Sequence, residues 1–355
     1  MQPQLLHISA TLPLERGGQL SNATLAYYTY GLPGNPVVWV CHPFHTSANA
    51  ADWWPGLFGQ HGYFNPDKYF IVCVNVPGSC FGSTGPLSEN PAQGGSAYFH
   101  EFPLLTIRDL ALANETLRRH LKIQKIHLLI GPATGGQVAL EWAIEAPGAF
   151  AQLVLISTNA RQSPWAIAIN ESRRMAIEAD ITWRKNHPQA GEAGLRAAEA
   201  LALLYAGSSQ AYGVLQDAPD AIPDAFRAAA FQQEQSLQRV RDFNAFSSYL
   251  LSKAADTHDV GRNRGGIAAA LAEVQAKTMV IGISSDQLFP CAEQRFLAEK
   301  IPGAIYREVH SDAGHEGYLT ESSRLTHLLK IFLEAESDSL SAEATSHRRH
   351  PADPG

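Results

Sequence analysis

The stretch LLIGPATGGQVALEW, residues 128–142, decides how the rest of the chain is read. It begins as an apolar run, breaks at Gly131-Pro132, and resumes with the spacing of a helix, which is the local pattern of a β–α unit. Its centre, Gly131-Pro132-Ala133-Thr134-Gly135, has the form of the G-x-S-x-G elbow that carries a nucleophilic serine, with alanine in the serine's place. A turn that leaves a strand and enters a helix within a few residues strains the backbone at its centre and requires small neighbours. Gly131 and Gly135 meet that demand, and Gly136 adds room. A helix starting here aims its free N–H groups and its positive dipole end at residue 133. A plain glycine-rich β–α turn would look the same, so the elbow alone does not assign a function.

Working outward, short apolar runs read as buried strands: VVWVCH (37–42), YFIVCVN (69–75), IHLLIG (126–131), QLVLIS (152–157) and TMVIGI (278–283). Nearly continuous apolar strands belong to parallel sheets covered on both faces. Helical patterns alternate with them over 107–121, 137–146 and 322–334. This alternation predicts an α/β fold with a mostly parallel, doubly wound sheet. From about 160 to 275 the chain is rich in Ala, Gln, Glu, Arg and Leu with helical periodicity and no clear strand. The expected organisation is a core over 1–160 and 276–335, an inserted all-helical cap over 161–275, and a disordered tail over 336–355, where the sequence turns polar.

The whole-chain balance narrows the partners. The chain of 355 residues can bury a substantial core, with 45% hydrophobic and 17% charged residues. A net charge of −7 argues against nucleic acid or an anionic membrane as the main partner. No run approaches the ~18 apolar residues of a membrane span, and the first residues lack the pattern of a secretory signal. Four scattered cysteines without CxxC spacing (Cys41, Cys73, Cys80 and Cys291) read as reduced thiols of a cytoplasmic protein, with no zinc site.

Two further stretches give the elbow company. TMVIGISSDQLFP puts Asp286 just past an apolar strand, and YREVHSDAGHEGYL puts His315 in a later loop beside Gly314. Each alone reads as an ordinary loop residue. Together they stand in the chain order nucleophile, acid, histidine of a hydrolase triad, in which the carboxylate fixes the imidazole and the imidazole takes the nucleophile's proton. GSCFGSTG (78–85) lacks the lysine of a phosphate loop and reads as a structural turn. HSDAGH (310–315) lacks a third ligand for a metal.

These blocks, with CHPFHTSANAADWW (41–54), YFIVCVNVPGSCFGSTGP (69–86), FPLLTIRDL (102–110), INESRRMAI (169–177) and SSYLLSKAADTHDVGRNRGG (247–266), make the chain resemble the homoserine O-acetyltransferase group of the α/β-hydrolase superfamily over about residues 5–335. The resemblance implies that Ala133 occupies the nucleophile's position, with His315 as base and Asp286 as its orienting acid. It implies an oxyanion hole from the backbone N–H groups of Phe44 and Thr134, and an acceptor carboxylate held by Arg174, whose guanidinium offers a planar fork. Glu316 stands where the family usually has aspartate facing the acceptor's ammonium, which leaves serine or another hydroxylated amine open beside homoserine. The implied reaction of the parent enzyme is ping-pong transfer from acetyl-CoA, with no bound cofactor or metal, in a homodimer joined through the cap, within methionine biosynthesis.

A methyl group cannot accept an acyl group, and losing a serine nucleophile costs on the order of a million-fold in kcat. The hydroxyl of Thr134 is expected to point away from His315 while its N–H faces the oxyanion. An engineered Ser→Ala replacement in an otherwise intact site fits the retained groups better than a natural binding-only relative. An esterase of the same fold is a further alternative, but it would not need Arg174 with Glu316.

Overall fold

The computed structural model of the protein describes residues 2–9, 11–217 and 226–334. Its strands are β1 (Gln4–His7), β2 (Leu12–Pro13), β3 (Gln19–Leu20), β4 (Thr24–Tyr30), β5 (Val37–Val40), β6 (Phe70–Val74), β7 (Ile126–Pro132), β8 (Phe150–Ile156), β9 (Lys277–Ile283) and β10 (Ile305–Val309). Eight of them form one sheet in the order β1-β4-β6-β5-β7-β8-β9-β10. The pairs from β6 to β10 are parallel, while β1 and β4 add an antiparallel edge. The five apolar runs are the parallel strands β5 to β9. The antiparallel edge escaped the sequence reading because β1 is short and exposed, and β4 (TLAYYTY) mixes threonine and tyrosine with its apolar residues and gives no continuous apolar run.

The helices are α1 (Ala50–Trp53), α2 (Ile107–His120), α3 (Ala133–Glu145), α4 (Pro164–Glu178), α5 (Glu192–Ala206), α6 (Ser209–Gln216), α7 (Arg227–Arg239), α8 (Ala245–Asp256), α9 (Ile267–Ala272), α10 (Cys291–Lys300), α11 (Gly317–Thr320) and α12 (Ser322–Glu334). One apolar cluster joins α2 and α3 to one face of the sheet, with Trp39 and Trp142 in edge contact. Another joins α12 and the Trp54–Phe58 segment to the other face. The sheet is thus buried on both sides, which is why its strands are apolar throughout.

Helices α4 to α9 lie between β8 and β9 and carry a small core of their own around Ile177, Trp183, Leu195 and Phe246. They are fastened to the layer below by buried charge: Glu141 of α3, which already accepts from Arg108 Nε of α2 at 2.8 Å, also accepts from Arg264 between α8 and α9 at 2.5 Å. The tail expected over 336–355 lies outside the described residues. No helix among the described residues is long and apolar enough to cross a membrane.

Strand order places the elbow. The chain passes from β5 to β6 on one side and returns across β5 to β7 on the other, so the C-terminal ends of β5 and β7 diverge at a switch point. Ligands of open α/β sheets bind in such crevices. Cys41 N–H still donates to Ile130 O at 2.9 Å, so the loop holding Phe44 leaves the sheet beside the elbow.

Candidate active site

Helix α3 begins at Ala133, four residues before the expected start, because the glycines after it continue the helix rather than delaying it. Ala133 has φ 51°, the left-handed conformation that a non-glycine residue adopts only when its surroundings force it. A Cβ on Gly135 would lie 2.1 Å from Cys41 O, and one on Gly131 would lie 2.5 Å from Gly135 O. Glycine is therefore dictated by the crossing of backbones, and the turn is a true elbow with residue 133 at its apex.

His315 stands across from it. Its Nδ1 lies 2.7 Å from Asp286 Oδ2, and the ring is packed between Phe289 and Tyr318, with ring centroids 5.3 Å from each. The other oxygen of Asp286 accepts the backbone N–H groups of Leu288 and Phe289, both at 2.9 Å. Three fixed donors hold this buried carboxylate, which sets the imidazole tautomer with Nε2 free. Gly314, at φ 66°, lets the loop approach Gly207 of the cap, where a Cβ would come within 2.4 Å of backbone.

Ala133, Thr134, Phe44, His315 and Glu316 all line one cavity of about 370 Å3 beneath the cap. Asp286 stands behind His315. The N–H of Phe44 is not free, since it donates to Thr134 Oγ1 at 3.1 Å.

Arg174 is placed differently from its expected position. It is absent from the cavity wall, and its guanidinium bonds Asp256 at 2.7 Å, Ser252 at 3.1 Å and Glu171. Its neighbour Arg173 lines the cavity. Successive helical residues point about 100° apart, so packing of α4 on α8 lets only one of the pair face inward. Arg173 Nη2 bonds Glu199 at 2.5 Å and the His45 ring at 3.0 Å, while its buried Nε has no partner. Arg239 of α7 lies 2.5 Å from Glu316 and 4.0 Å from Glu199.

The cavity roof is thus a chain of alternating charges, Arg173–Glu199–Arg239–Glu316. Burial alone would raise Glu199, but the Arg173 and Arg239 guanidinium groups outweigh it and hold the carboxyl below its usual range. Sequence reasoning missed Arg173, Glu199 and Arg239. One signal for Glu199 was present: it falls on the buried stripe Leu195, Ala198, Ala202, Ala206 of α5, where a lone charge needs a partner. Among the described residues no cluster of His, Cys, Asp and Glu is arranged to hold a metal ion.

Residues 30–322 match the family model of the alpha/beta hydrolase fold. The homoserine O-acetyltransferase of Cyclobacterium marinum is 40% identical over 335 residues, covering 94% of this chain and 95% of that protein. Among solved structures, the homoserine O-acetyltransferase of Bacillus anthracis superposes with a TM-score of 0.86 at 22% identity, covering 94% of this chain and 97% of the other. An acetylester hydrolase from Corynebacterium glutamicum shares the fold with a TM-score of 0.80 at 23% identity, covering 94% and 96%. Fold, elbow and Asp–His pair define an α/β-hydrolase. Within that class the chain belongs to the homoserine O-acetyltransferase family.

Proposed function

We propose that the cavity is built to move an acetyl group from acetyl-CoA to the hydroxyl of homoserine, and that with Ala133 this chain binds the substrates without forming the acyl-enzyme. The observation that carries this reading is the Asp286–His315 pair opening onto the same cavity as the elbow apex.

With serine at 133, His315 Nε2 takes the serine proton as the hydroxyl attacks the thioester carbonyl, and returns it to the departing CoA sulfur. The acceptor hydroxyl then gives its proton to His315 and attacks the acyl ester, which frees the serine as the proton returns to it. Homoserine is a zwitterion, and the roof offers one group for each charge. Arg173, which lines the cavity, faces the carboxylate in place of Arg174. Glu316 faces the ammonium by exchanging Arg239 for it. An acetylester hydrolase on this fold has no use for such charges, so they favour an amino-acid acceptor over water.

The Ala133→Ser protein, assayed with acetyl-CoA and homoserine, tests this. O-acetylhomoserine formed at least about 10³-fold faster than by the present chain is expected, given the cost of losing a serine nucleophile. Rapid hydrolysis of simple esters with no O-acetylhomoserine would sink the proposal.

A further inference from the structure

Ala133 is not the only obstacle to acyl transfer at the elbow. An oxyanion hole works when preorganised donors point at the place where the oxygen becomes charged. Here the two donors are the N–H groups of Thr134 and Phe44, and the second is already engaged. Phe44 is 3% exposed, and its N–H donates to Thr134 Oγ1 at 3.1 Å. A threonine in the first turn of a helix ordinarily bonds within its own segment. This one reaches across the crevice to a residue 90 positions away. The Phe44 N–H is thus bound by the side chain of the very residue whose own N–H is the other donor.

We propose that the Thr134 hydroxyl is an internal plug of the oxyanion hole, a second block to acylation independent of Ala133. This rests on the reading of the cavity as an acyl-transfer site. The thioester carbonyl can gain the Phe44 N–H only by displacing the hydroxyl. Ala133 and Thr134 together therefore describe a site turned from activating a thioester to holding it. Serine at 133 alone would therefore restore the nucleophile and leave the Phe44 N–H engaged.

The test compares Ala133→Ser with Ala133→Ser/Thr134→Val, valine keeping the shape and removing the oxygen. One oxyanion donor is worth about 10²–10³ in kcat, so the double variant should exceed the single one by at least ~10-fold in O-acetylhomoserine formation. An equal or slower double variant would overturn the proposal, because the hydroxyl would then be neutral or itself a donor to the oxyanion. A second measurement needs no substrate. In the protein labelled with 15N-phenylalanine, Thr134→Val should move the Phe44 amide proton upfield as its hydrogen bond is lost, and an unmoved resonance would overturn the plug. If the amide moves but every serine variant stays inert toward acetyl-CoA, the acyl-transfer reading fails rather than the contact.

Discussion

The floor and the roof of the cavity are held by different forces. On the floor, Ala133 is fixed by the crossing backbones of the elbow, and Asp286 by two main-chain N–H groups besides His315. On the roof, Arg173, Glu199, Arg239 and Glu316 are held chiefly by one another. Backbone-held groups keep their geometry whether or not a ligand is present, which suits chemistry that tolerates little displacement. Ion pairs among side chains can be traded for the charges of a ligand, which suits recognition of a zwitterion. The contrast predicts that changes to the floor's catalytic side chains act on rate, while changes to the roof's ion pairs act on stability and acceptor affinity.

The largest effect should come from the floor. In the Ala133→Ser protein, Asp286→Asn is expected to lower kcat by about 10⁴-fold, because the amide presents the wrong group to His315 Nδ1. KM for homoserine should hardly change, and a loss confined to KM would break the contrast. On the roof, Arg173→Met should destabilise the fold by about 3–5 kcal/mol, since it leaves Glu199 buried without its closest partner. Denaturant titration of Arg173→Met, Glu199→Leu and the double variant gives the coupling between them. The double should be closer to the parent than either single, and the homoserine affinity of the double should still be lost.

Gly135→Ala tests how strictly the elbow is dictated. Its Cβ meets Cys41 O at 2.1 Å, so a loss of about 3 kcal/mol is expected in denaturant unfolding. A loss below ~1 kcal/mol would show that the β5 loop yields. The smallest effect concerns Glu293 of α10, beside the floor. Burial pushes its carboxyl up to about 7, and the negative charge of Asp286 adds to this, against a hydrogen bond from Asn159. The folded protein therefore holds this proton more tightly than the unfolded chain. The stability contributed is present at acid pH and is lost as pH rises from about 4.5 through about 7. Glu293→Gln should flatten that part of the curve of unfolding free energy against pH and raise stability near pH 8 by on the order of 1 kcal/mol after allowance for solvent screening. An unchanged curve would remove Glu293 from the account.

The parallel sheet was readable because both its faces are buried, so VVWVCH, IHLLIG and TMVIGI are apolar without interruption. The antiparallel pair β1 and β4 was not, since the edge strand β1 is exposed and β4 mixes threonine and tyrosine with its apolar residues. The order of elbow, Asp286 and His315 could be read because each follows a recognisable strand. The resemblance pointed to Arg174 for the acceptor, whereas it is Arg173 that lines the cavity. In INESRRMAI either arginine could face inward, and the choice depends on how α4 packs against α8, with Asp256 and Ser252 waiting for the one that does not.

Residues adjacent in the chain and bound by local sterics speak through the sequence. Gly131, Gly135 and the missing hydroxyl at 133 announced an elbow without its nucleophile before any fold was known. Contacts between distant segments do not. That Thr134 would lend its oxygen to the N–H of Phe44, and that Glu199 would pair with Arg173, depended on bringing β5, α3, α4 and α5 together around one cavity. A side chain's partner there is chosen by three-dimensional packing, and the one-dimensional order of residues does not encode distances of a few ångströms across it.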